Sequence, residues 1–263
     1  MTGLVTTDVE PWACNLPGVG RCFVHSDGST SFELANGVDS STASMLKERV
    51  ISPLSWWRRG YWLLNGAVMV SPAQQAVLLC AQPDLTERLV VALSQRGWTC
   101  VGDSLVPAAI ADGSVLVQRR VDTVLCSSTL AMSESLHIVE HPRPGGNAVT
   151  VRVPMHEGSV ALGATALFPL APSASESAGL RRARLARGSL VEVSPGERTP
   201  EQVLDAVAGL TALPLWTRAD PNLAEIADGP VASDRAVDRA VVIHTRLGAA
   251  LDDLSEWLSD LAV

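Results

Sequence analysis

Lysine is almost absent from this chain of 263 residues: Lys47 is the only one, and the other basic residues are arginines. Acidic residues outnumber basic ones by 28 to 20, which gives a formal net charge of −8 at pH 7. A general nucleic-acid-binding protein needs a cationic face that displaces counterions from phosphates. The composition therefore predicts no nucleic-acid partner. It is still compatible with a local patch of arginines that binds an anion.

Long apolar runs are also missing. No stretch of about 18 apolar residues occurs, so we expect no transmembrane helix. Residues 1–20 contain no basic start followed by an apolar core, which predicts no signal peptide. These two absences predict a cytoplasmic protein without a membrane partner.

Metal-binding patterns are missing as well. No CxxC pair occurs, and five cysteines are an odd number for a disulfide framework, so we expect reduced thiols. Cys80 and Cys100 lie in apolar runs, where a small buried residue is the simplest interpretation. His137 and His141 flank a strand-like segment and share no helical face, so no metal site is predicted. The potential metal ligands of these two residue types are Cys14, Cys22, Cys80, Cys100, Cys126, His137, His141 and His156.

Apolar residues are abundant instead, at 47% of the chain, while charged residues make up 18%. That balance is enough for a sizeable folded core. The patterns predict a mixed α/β fold that is rich in strands in the middle and helical at the end. We expect a β-rich N-terminal part with a helix (1–60), a core (61–220) and a helical C-terminal segment (221–263).

The N-terminal part carries a hairpin pattern followed by a helix pattern. Residues 20–37 predict two short strands joined by a turn at Ser26-Asp27-Gly28. Residues 39–49 predict a helix that begins at an Asp or Ser cap, and Pro53 marks a break or a second helix start.

The core begins with apolar strands and an amphipathic helix. "YWLLNGAVMVS" (61–71) predicts a pair of strands with Asn65-Gly66 as a turn or a tight bend, and "QAVLLCA" (75–81) predicts a buried strand. "LTERLVVALSQRG" (85–97) has a helical stripe of Leu and Val and ends on a glycine stop. Further strands are expected over 98–110, 113–120, 137–141, 148–155 and 159–171, with a turn over 142–147, and further helices over 200–213 and 233–260.

The order of these patterns over residues 63–108 resembles the core of the HPr kinase family, which shares its fold with phosphoenolpyruvate carboxykinase. Sequences of that family contain six features in order. They are an apolar run with His-Gly, a strand, a Gly-x-x-Gly-x-Gly-Lys-Ser phosphate loop, a helix, an Arg-Gly pair and a strand that ends in Asp-Asp. Here Asn65-Gly66 stands at the His-Gly position, and Arg96-Gly97 matches directly. Gly102-Asp103-Ser104 stands at the acidic pair and keeps one carboxylate. The resemblance implies an HPr kinase-like fold.

Residues 80–87 stand where the resemblance places the phosphate loop. In such a loop, glycines let backbone N–H groups turn inward, a lysine reaches the phosphates, and a hydroxyl holds Mg²⁺. Pro83 removes an N–H here, and Asp84 and Glu87 add negative charge where phosphates would lie. The three family glycines are replaced here by Cys80, Pro83 and Leu85. The lysine is replaced by Thr86, and the residue with the metal-binding hydroxyl is replaced by Glu87.

These departures predict a degenerate phosphate loop that binds no ATP and no other cofactor. Asn65 also lacks the proton-transfer capacity of a histidine near neutral pH. An ordinary strand–helix connection, with Asp84 as the helix N-cap, predicts the same absence of ATP hydrolysis.

Two later segments, 162–170 and 190–216, resemble kinase-like proteins of bacterial peptide natural-product clusters. The resemblance extends over roughly residues 20–220. It implies a pseudokinase-like binding or scaffolding subunit that assists a modifying enzyme or holds a precursor peptide. Because a fold does not determine a function, this role is an expectation from the resemblance alone.

The alternative is an atypical phosphotransferase whose catalytic residues are Asp103 and Glu87, together with an arginine cluster. On the favoured interpretation there is no catalytic residue. The cluster follows a predicted flexible loop (172–179) and suits an anion or an acidic peptide, or else it forms a solvated edge. Its members are Arg181, Arg182, Arg184 and Arg187. An open cleft lined by Asp103 and several arginines would favour the enzyme, and a cleft filled by the side chains of residues 82–87 would favour the scaffold.

An apolar stripe runs through the C-terminal segment. From Val237 to Leu261, apolar residues recur at intervals of three and four, and Trp257 adds a large apolar surface. The stripe predicts packing on its own domain, or else association with a second copy or a protein partner.

Overall fold

The computed structural model describes residues 11–16, 18–119, 123–140, 148–168, 177–191, 193, 197–217, 249 and 251–260. Over these residues the chain forms three sheets and several helices, which confirms the predicted mixed α/β class. No helix within the described ranges is long and apolar enough to cross a membrane.

A small antiparallel sheet opens the described chain. It consists of β1 (Trp12–Leu16), β2 (Gly20–Val24) and β3 (Thr30–Leu34) in that order. The predicted turn between β2 and β3 is confirmed, and there the Asp27 carboxylate accepts a hydrogen bond of 2.7 Å from the backbone N–H of Ser29.

A helical segment joins this sheet to the core. Helix α1 (Ser40–Leu46) is capped by Asp39, whose carboxylate accepts a hydrogen bond of 2.8 Å from the first turn. The chain continues through a π-helical turn (Lys47–Ile51) into α2 (Ser52–Arg58). The predicted cap is confirmed. Of the two alternatives at Pro53, the second helix start is confirmed: Pro53 lies in the first turn of α2, where its missing N–H leaves little unsatisfied.

The core is a mixed sheet of nine strands, counted over the described residues. The strands are β4 (Trp62–Asn65), β5 (Ala67–Val70), β6 (Ala76–Cys80), β7 (Thr99–Gly102), β8 (Leu105–Ala111), β9 (Ser114–Val117), β13 (Val160–Leu167), β14 (Leu190–Val191) and β15 (Leu215–Thr217). Their order is β14–β4–β8–β9–β13–β6–β5–β7, and β15 also pairs with β13. Strand β13 runs parallel to β6 and β15, while the other pairs are antiparallel.

The predicted pairing of the two strands around Asn65-Gly66 is wrong. Strand β4 pairs with β8 and β14, whereas β5 pairs with β6 and β7. Gly66 lies at the corner between them with φ of 143°, and a Cβ atom there would overlap the Leu79 carbonyl oxygen. The apolar runs predict two strands but carry no information on which partner each strand takes.

A third sheet lies beside the core. It contains β10 (Val124–Ser127), β11 (Ile138–Glu140) and β12 (Ala148–Val151), in the order β10–β12–β11. A short helix, α4 (Ser128–Ser133), follows β10 and was not predicted. The turn predicted over residues 142–147 lies outside the described residues.

Four longer helical stretches complete the fold: α3 (Pro83–Gln95), α5 (Ala178–Ser189), α6 (Pro200–Ala212) and residues 251–260. The sequence predicts α3, α6 and the last stretch. It does not predict α5, because the arginine-rich segment has no clear apolar stripe. Most of the loop predicted over 172–179 lies outside the described residues.

Both faces of β5 and β6 are buried, which explains why their sequences read as continuous apolar runs. Met69 and Leu79 point into a cluster shared with α3 and residues 251–260. Val68 and Leu78 point into a second cluster, to which α5 and α6 each contribute a leucine. The sheet is therefore the middle layer between two helical layers.

The described part of the C-terminal stripe packs on its own domain. Leu251, Leu254 and Leu258 are buried in the cluster that includes α3, and Asp252 forms an ion pair of 3.2 Å with Arg96. Self-association through the rest of the stripe stays a prediction, since residues 218–248 lie outside the described ranges.

Candidate functional site

A cleft of about 210 Å³ opens where strand ends of the central sheet meet the start of α3. Its walls come from the ends of β4, β6 and β7, the first turns of α3 and the start of β10. The lining residues are Asn65, Gly66, Ala81, Pro83, Thr86, Glu87, Val90, Asp103, Ser104, Val124 and Leu125. This cleft occupies the place where the sequence pattern predicts the degenerate phosphate loop.

The cleft is lined by acidic but not by basic side chains. Of its eleven lining residues, two are carboxylates and none is lysine or arginine. Because Asp103 is paired with the buried Arg49, that arginine balances the Asp103 charge and does not serve as a cation for a bound phosphate. The volume of the cleft is also below the range of about 300–1,000 Å³ that is usual for small-molecule sites.

The connection from β6 to α3 is short. Only Ala81 and Gln82 separate the strand from the helix, and no residue from 80 to 87 has a positive φ. A phosphate loop needs such conformations so that successive N–H groups point inward. Gln82, in an extended conformation, occupies the N-cap position, while Asp84 lies exposed in the first turn. The expectation that Asp84 is the N-cap is therefore wrong.

The remaining side chains at the loop positions face the protein. The Thr86 hydroxyl donates to the carbonyl oxygens of Gln82 and Ala81, at 3.1 and 3.3 Å. Cys80 is buried with its sulfur 3.0 Å from the hydroxyl of Ser189. Burial raises the pKa of Cys80 to about 11, so the thiol stays protonated near neutral pH. Leu85 is buried in the core under α3.

Glu87 is half-buried one turn into α3. Its Oε2 accepts a hydrogen bond of 2.9 Å from the backbone N–H of Ser127, where β10 passes into α4. Burial raises the pKa of this carboxyl, and the hydrogen bond from Ser127 opposes that shift. Glu87 thus holds the third sheet against α3 and also lines the cleft.

Asp103 has both carboxylate oxygens engaged within the protein. Its Oδ1 forms a buried ion pair with Arg49, and its Oδ2 accepts a hydrogen bond of 3.0 Å from the N–H of Leu125. Arg49 also donates to the Thr123 carbonyl oxygen at 2.7 Å. Asp103 is only 6% exposed. A carboxylate held in this way is poorly suited to act as a general base or a metal ligand.

Arg49 is the site residue that sequence reasoning missed. It lies 54 positions before Asp103 and belongs to the π-helical turn. No periodicity or motif links positions so far apart. In the sequence, Arg49 follows the exposed Lys47 and Glu48 and is not distinguished from a solvated charge.

Asn65, at the position of the family histidine, closes the rim of the cleft. Its amide donates a hydrogen bond of 3.2 Å to the carbonyl oxygen of Gly188 in α5. The N–H of Gly66 donates to the Ser104 carbonyl oxygen at 2.9 Å. These two bonds tie three strand and helix ends together around the cleft.

The arginine cluster lies on α5 and does not line the cleft with any described side chain. Arg182 and Arg187 are exposed, and Arg181 donates to the Thr217 hydroxyl at 3.4 Å. The side chain of Arg184 lies outside the described part. The structure thus does not bring Asp103 together with the arginines. Three of residues 82–87 form one wall of the cleft but leave it partly open.

The described histidines are not gathered into a site. His137 is exposed and His156 is half-buried, while His141 lies outside the described residues. Within the described ranges, no group of three or more His, Cys, Asp and Glu side chains could hold a metal ion.

No family model matches the chain, and no curated protein matches it. Among solved structures it is similar to the HPr(Ser) kinase/phosphatase from Coxiella burnetii, at 12% identity and a TM-score of 0.31. The match covers 72% of this chain and 98% of that one. A similarity of this size does not identify a family or an activity.

Proposed function

We propose that this chain is a non-catalytic binding subunit whose cleft does not accept the phosphates of a nucleotide. The observation that carries the proposal is the composition of the cleft wall: none of its lining residues is lysine or arginine, and the nearby Arg49 is engaged by Asp103 and by the Thr123 carbonyl oxygen. Phosphate binding needs cations or inward-pointing N–H groups. The short connection before α3 supplies neither.

The phosphotransferase alternative requires a carboxylate that is free to take a proton or hold a metal ion. Asp103 is engaged with Arg49 and Leu125, and Glu87 is engaged with Ser127 through one oxygen. The exposed arginines of α5 are not part of the cleft wall. These contacts support a structural role for both carboxylates.

We propose a peptide or protein as the partner and α5 as its binding surface. Arg182 and Arg187 are exposed there, and the neighbouring Leu180 is 56% exposed. Exposed arginines and an exposed apolar side chain on one helix suit an acidic peptide segment with an apolar anchor. The role we propose is to hold a precursor peptide, or to assist a modifying enzyme, in bacterial peptide natural-product biosynthesis. That pathway rests on the resemblance of residues 162–170 and 190–216.

The first experiment is a thermal melt of the full chain with and without excess Mg-ATP. A ligand present at about 100 times its dissociation constant stabilises the native state by about 2.7 kcal/mol. For a chain of this size, each kcal/mol raises the midpoint by about 2–4 °C. We expect no shift with Mg-ATP. A rise of about 5 °C or more would overturn the proposal and would direct attention to phosphotransfer.

The second experiment tests α5 with a defined probe, a fluorescent peptide of consecutive glutamates ending in a leucine. We expect salt-sensitive binding by fluorescence anisotropy that weakens at least about tenfold in Arg182→Glu/Arg187→Glu. Arg21→Glu/Arg152→Glu is the matched control, because it reverses the same number of charges at two exposed arginines outside α5. Equal weakening in the control would mean a nonspecific charge effect and would overturn the α5 assignment.

A further inference from the structure

Two of the five cysteines face each other across the N-terminal sheet. Cys14 of β1 is the direct register partner of Cys22 of β2. Direct partners in antiparallel strands project to the same face of the sheet, with Cα atoms about 4.5–5.5 Å apart. That separation lies within the range of about 4.4–6.8 Å that a disulfide requires.

Packing places both side chains in one cluster. Cys22 is fully buried beside Val24 and Ile51, and Cys14 is half-buried against the same group. Both thiols are free in the structure. The other cysteines lie on β6, β7 and β10, and none of them is the register partner of another cysteine.

We propose that Cys14 and Cys22 form an oxidation site, at which a peroxide converts the two thiols into an intrachain disulfide. Cys14 is the more exposed thiol and reacts first: its thiolate takes one oxygen from hydrogen peroxide and becomes a sulfenic acid, with release of hydroxide. The sulfur of Cys22 then displaces that oxygen. Two thiols and one peroxide yield one disulfide and two waters, so that two electrons pass from the sulfurs to the peroxide.

The order of the two steps follows from the surroundings of each thiol. Burial, with a smaller contribution from Cys14, raises the pKa of Cys22 to about 11. Because the thiolate is the form that attacks peroxide, Cys22 is the poorer first nucleophile. It is nevertheless held against Cys14 by the strand register, which gives it a high effective concentration for the second step.

The disulfide would fasten an edge of the small sheet. β1 is an edge strand and, within the described residues, pairs only with β2. The bond would close the short loop over residues 15–21 and restrict the unfolded chain. Oxidation would therefore keep β1 on the sheet under conditions in which the reduced strand would fray.

The sequence offers a direct test, because trypsin cleaves after Arg21, between the two cysteines. The full chain is treated with hydrogen peroxide, the remaining thiols are alkylated, and the tryptic digest is analysed by mass spectrometry. We expect peptide 1–21 linked to peptide 22–47, at their summed mass less two hydrogen atoms. We expect this species to be at least about tenfold more abundant than any other cysteine pair, and to disappear on reduction.

Two controls test whether the link between Cys14 and Cys22 depends on the folded structure. Cys14→Ser changes the half-buried partner and should abolish the linked species while the protein still folds, as checked by circular dichroism. Oxidation in concentrated urea should lower the yield of this pair relative to the other pairs, because the strand register is then lost and only the short spacing along the chain still favours it. Alkylation of both cysteines after peroxide treatment of the folded chain, or preferential links to Cys80, Cys100 or Cys126, would overturn the proposal.

Discussion

Arg49 and Asp103 form a buried ion pair that joins the π-helical turn to the end of β7. Each partner makes a further hydrogen bond to the segment that leads into β10: Arg49 to Thr123 and Asp103 to Leu125. The pair thus connects three parts of the chain beside the cleft. It also crosses the domain boundary predicted near residue 60, which itself stays a prediction.

Removing one member of this pair should be costly. Arg49→Met leaves a buried carboxylate without its counter-charge, and we expect a loss of about 3–5 kcal/mol in the free energy of unfolding. The double variant Arg49→Met/Asp103→Leu removes both charges and should recover much of that loss. Urea denaturation of both variants measures the difference. Equal losses in the single and double variants would contradict the role of the ion pair.

The raised pKa of Glu87 predicts that the stability of the protein depends on pH. Burial raises its pKa in the folded state, so the folded protein holds this proton more tightly than the unfolded chain does. The stabilisation that comes from this tighter proton binding is complete below the pKa of the unfolded chain, about 4.3. It is lost as the pH rises through the pKa of the folded protein. Glu87→Gln removes this dependence and keeps an oxygen that can accept from Ser127.

We therefore expect the stability of Glu87→Gln, relative to the natural chain, to increase as the pH rises from about 4 to about 8. Urea denaturation at several pH values gives the comparison. Asp205→Asn is the control, because Asp205 is exposed on α6 and should show a much weaker trend. A relative stability of Glu87→Gln that does not change with pH would show that burial does not perturb this carboxyl.

Gly66 should tolerate no side chain. Its φ of 143° and the nearby Leu79 carbonyl oxygen leave no room for a Cβ atom, so we expect Gly66→Ala to cost about 3 kcal/mol or more. Gly163→Ala is a matched control on the other side of β6, where an added Cβ would lie 3.5 Å from the Ala76 carbonyl oxygen. That change should be neutral or stabilising by up to about 1 kcal/mol. Thermal melts of the two variants should differ clearly in midpoint.

Arg198 fastens the segment before α6 to two tryptophans. Its guanidinium lies 4.4 Å from the ring centroid of Trp57 and 5.5 Å from that of Trp62. It also donates to the carbonyl oxygens of Trp57 and Tyr61, at 2.9 and 3.1 Å. The contacts combine cation–π attraction with hydrogen bonds to the backbone.

We expect Arg198→Ala to cost about 2 kcal/mol, and Arg198→Lys to recover only part of this, because an ammonium cannot stack and donate as a planar guanidinium does. Denaturation followed by tryptophan fluorescence reports on the same rings. Arg182→Ala, at an exposed arginine of α5, should change stability by less than about 0.5 kcal/mol. Full recovery by lysine would show that charge alone explains the effect.

Local patterns predicted the elements whose residues interact within a few positions. The stripe of leucines and valines in α3, the Asp39 cap and the β2–β3 turn are examples, because helix periodicity, capping and turn chemistry depend on neighbours along the chain. Helix α5 escaped prediction because arginines occupy much of its length and few apolar residues mark its buried side.

The mixed α/β class, the buried strands and the lack of phosphate-binding residues before α3 follow from the amino-acid sequence alone, since each depends on residue type and local spacing. Three features needed the folded structure: β4 and β5 take different partners, Arg49 neutralises Asp103, and no described arginine side chain of α5 lines the cleft. These features join residues that are far apart along the chain. Strand pairing and ion pairing depend on which surfaces pack against each other, and the packing of the whole core determines this.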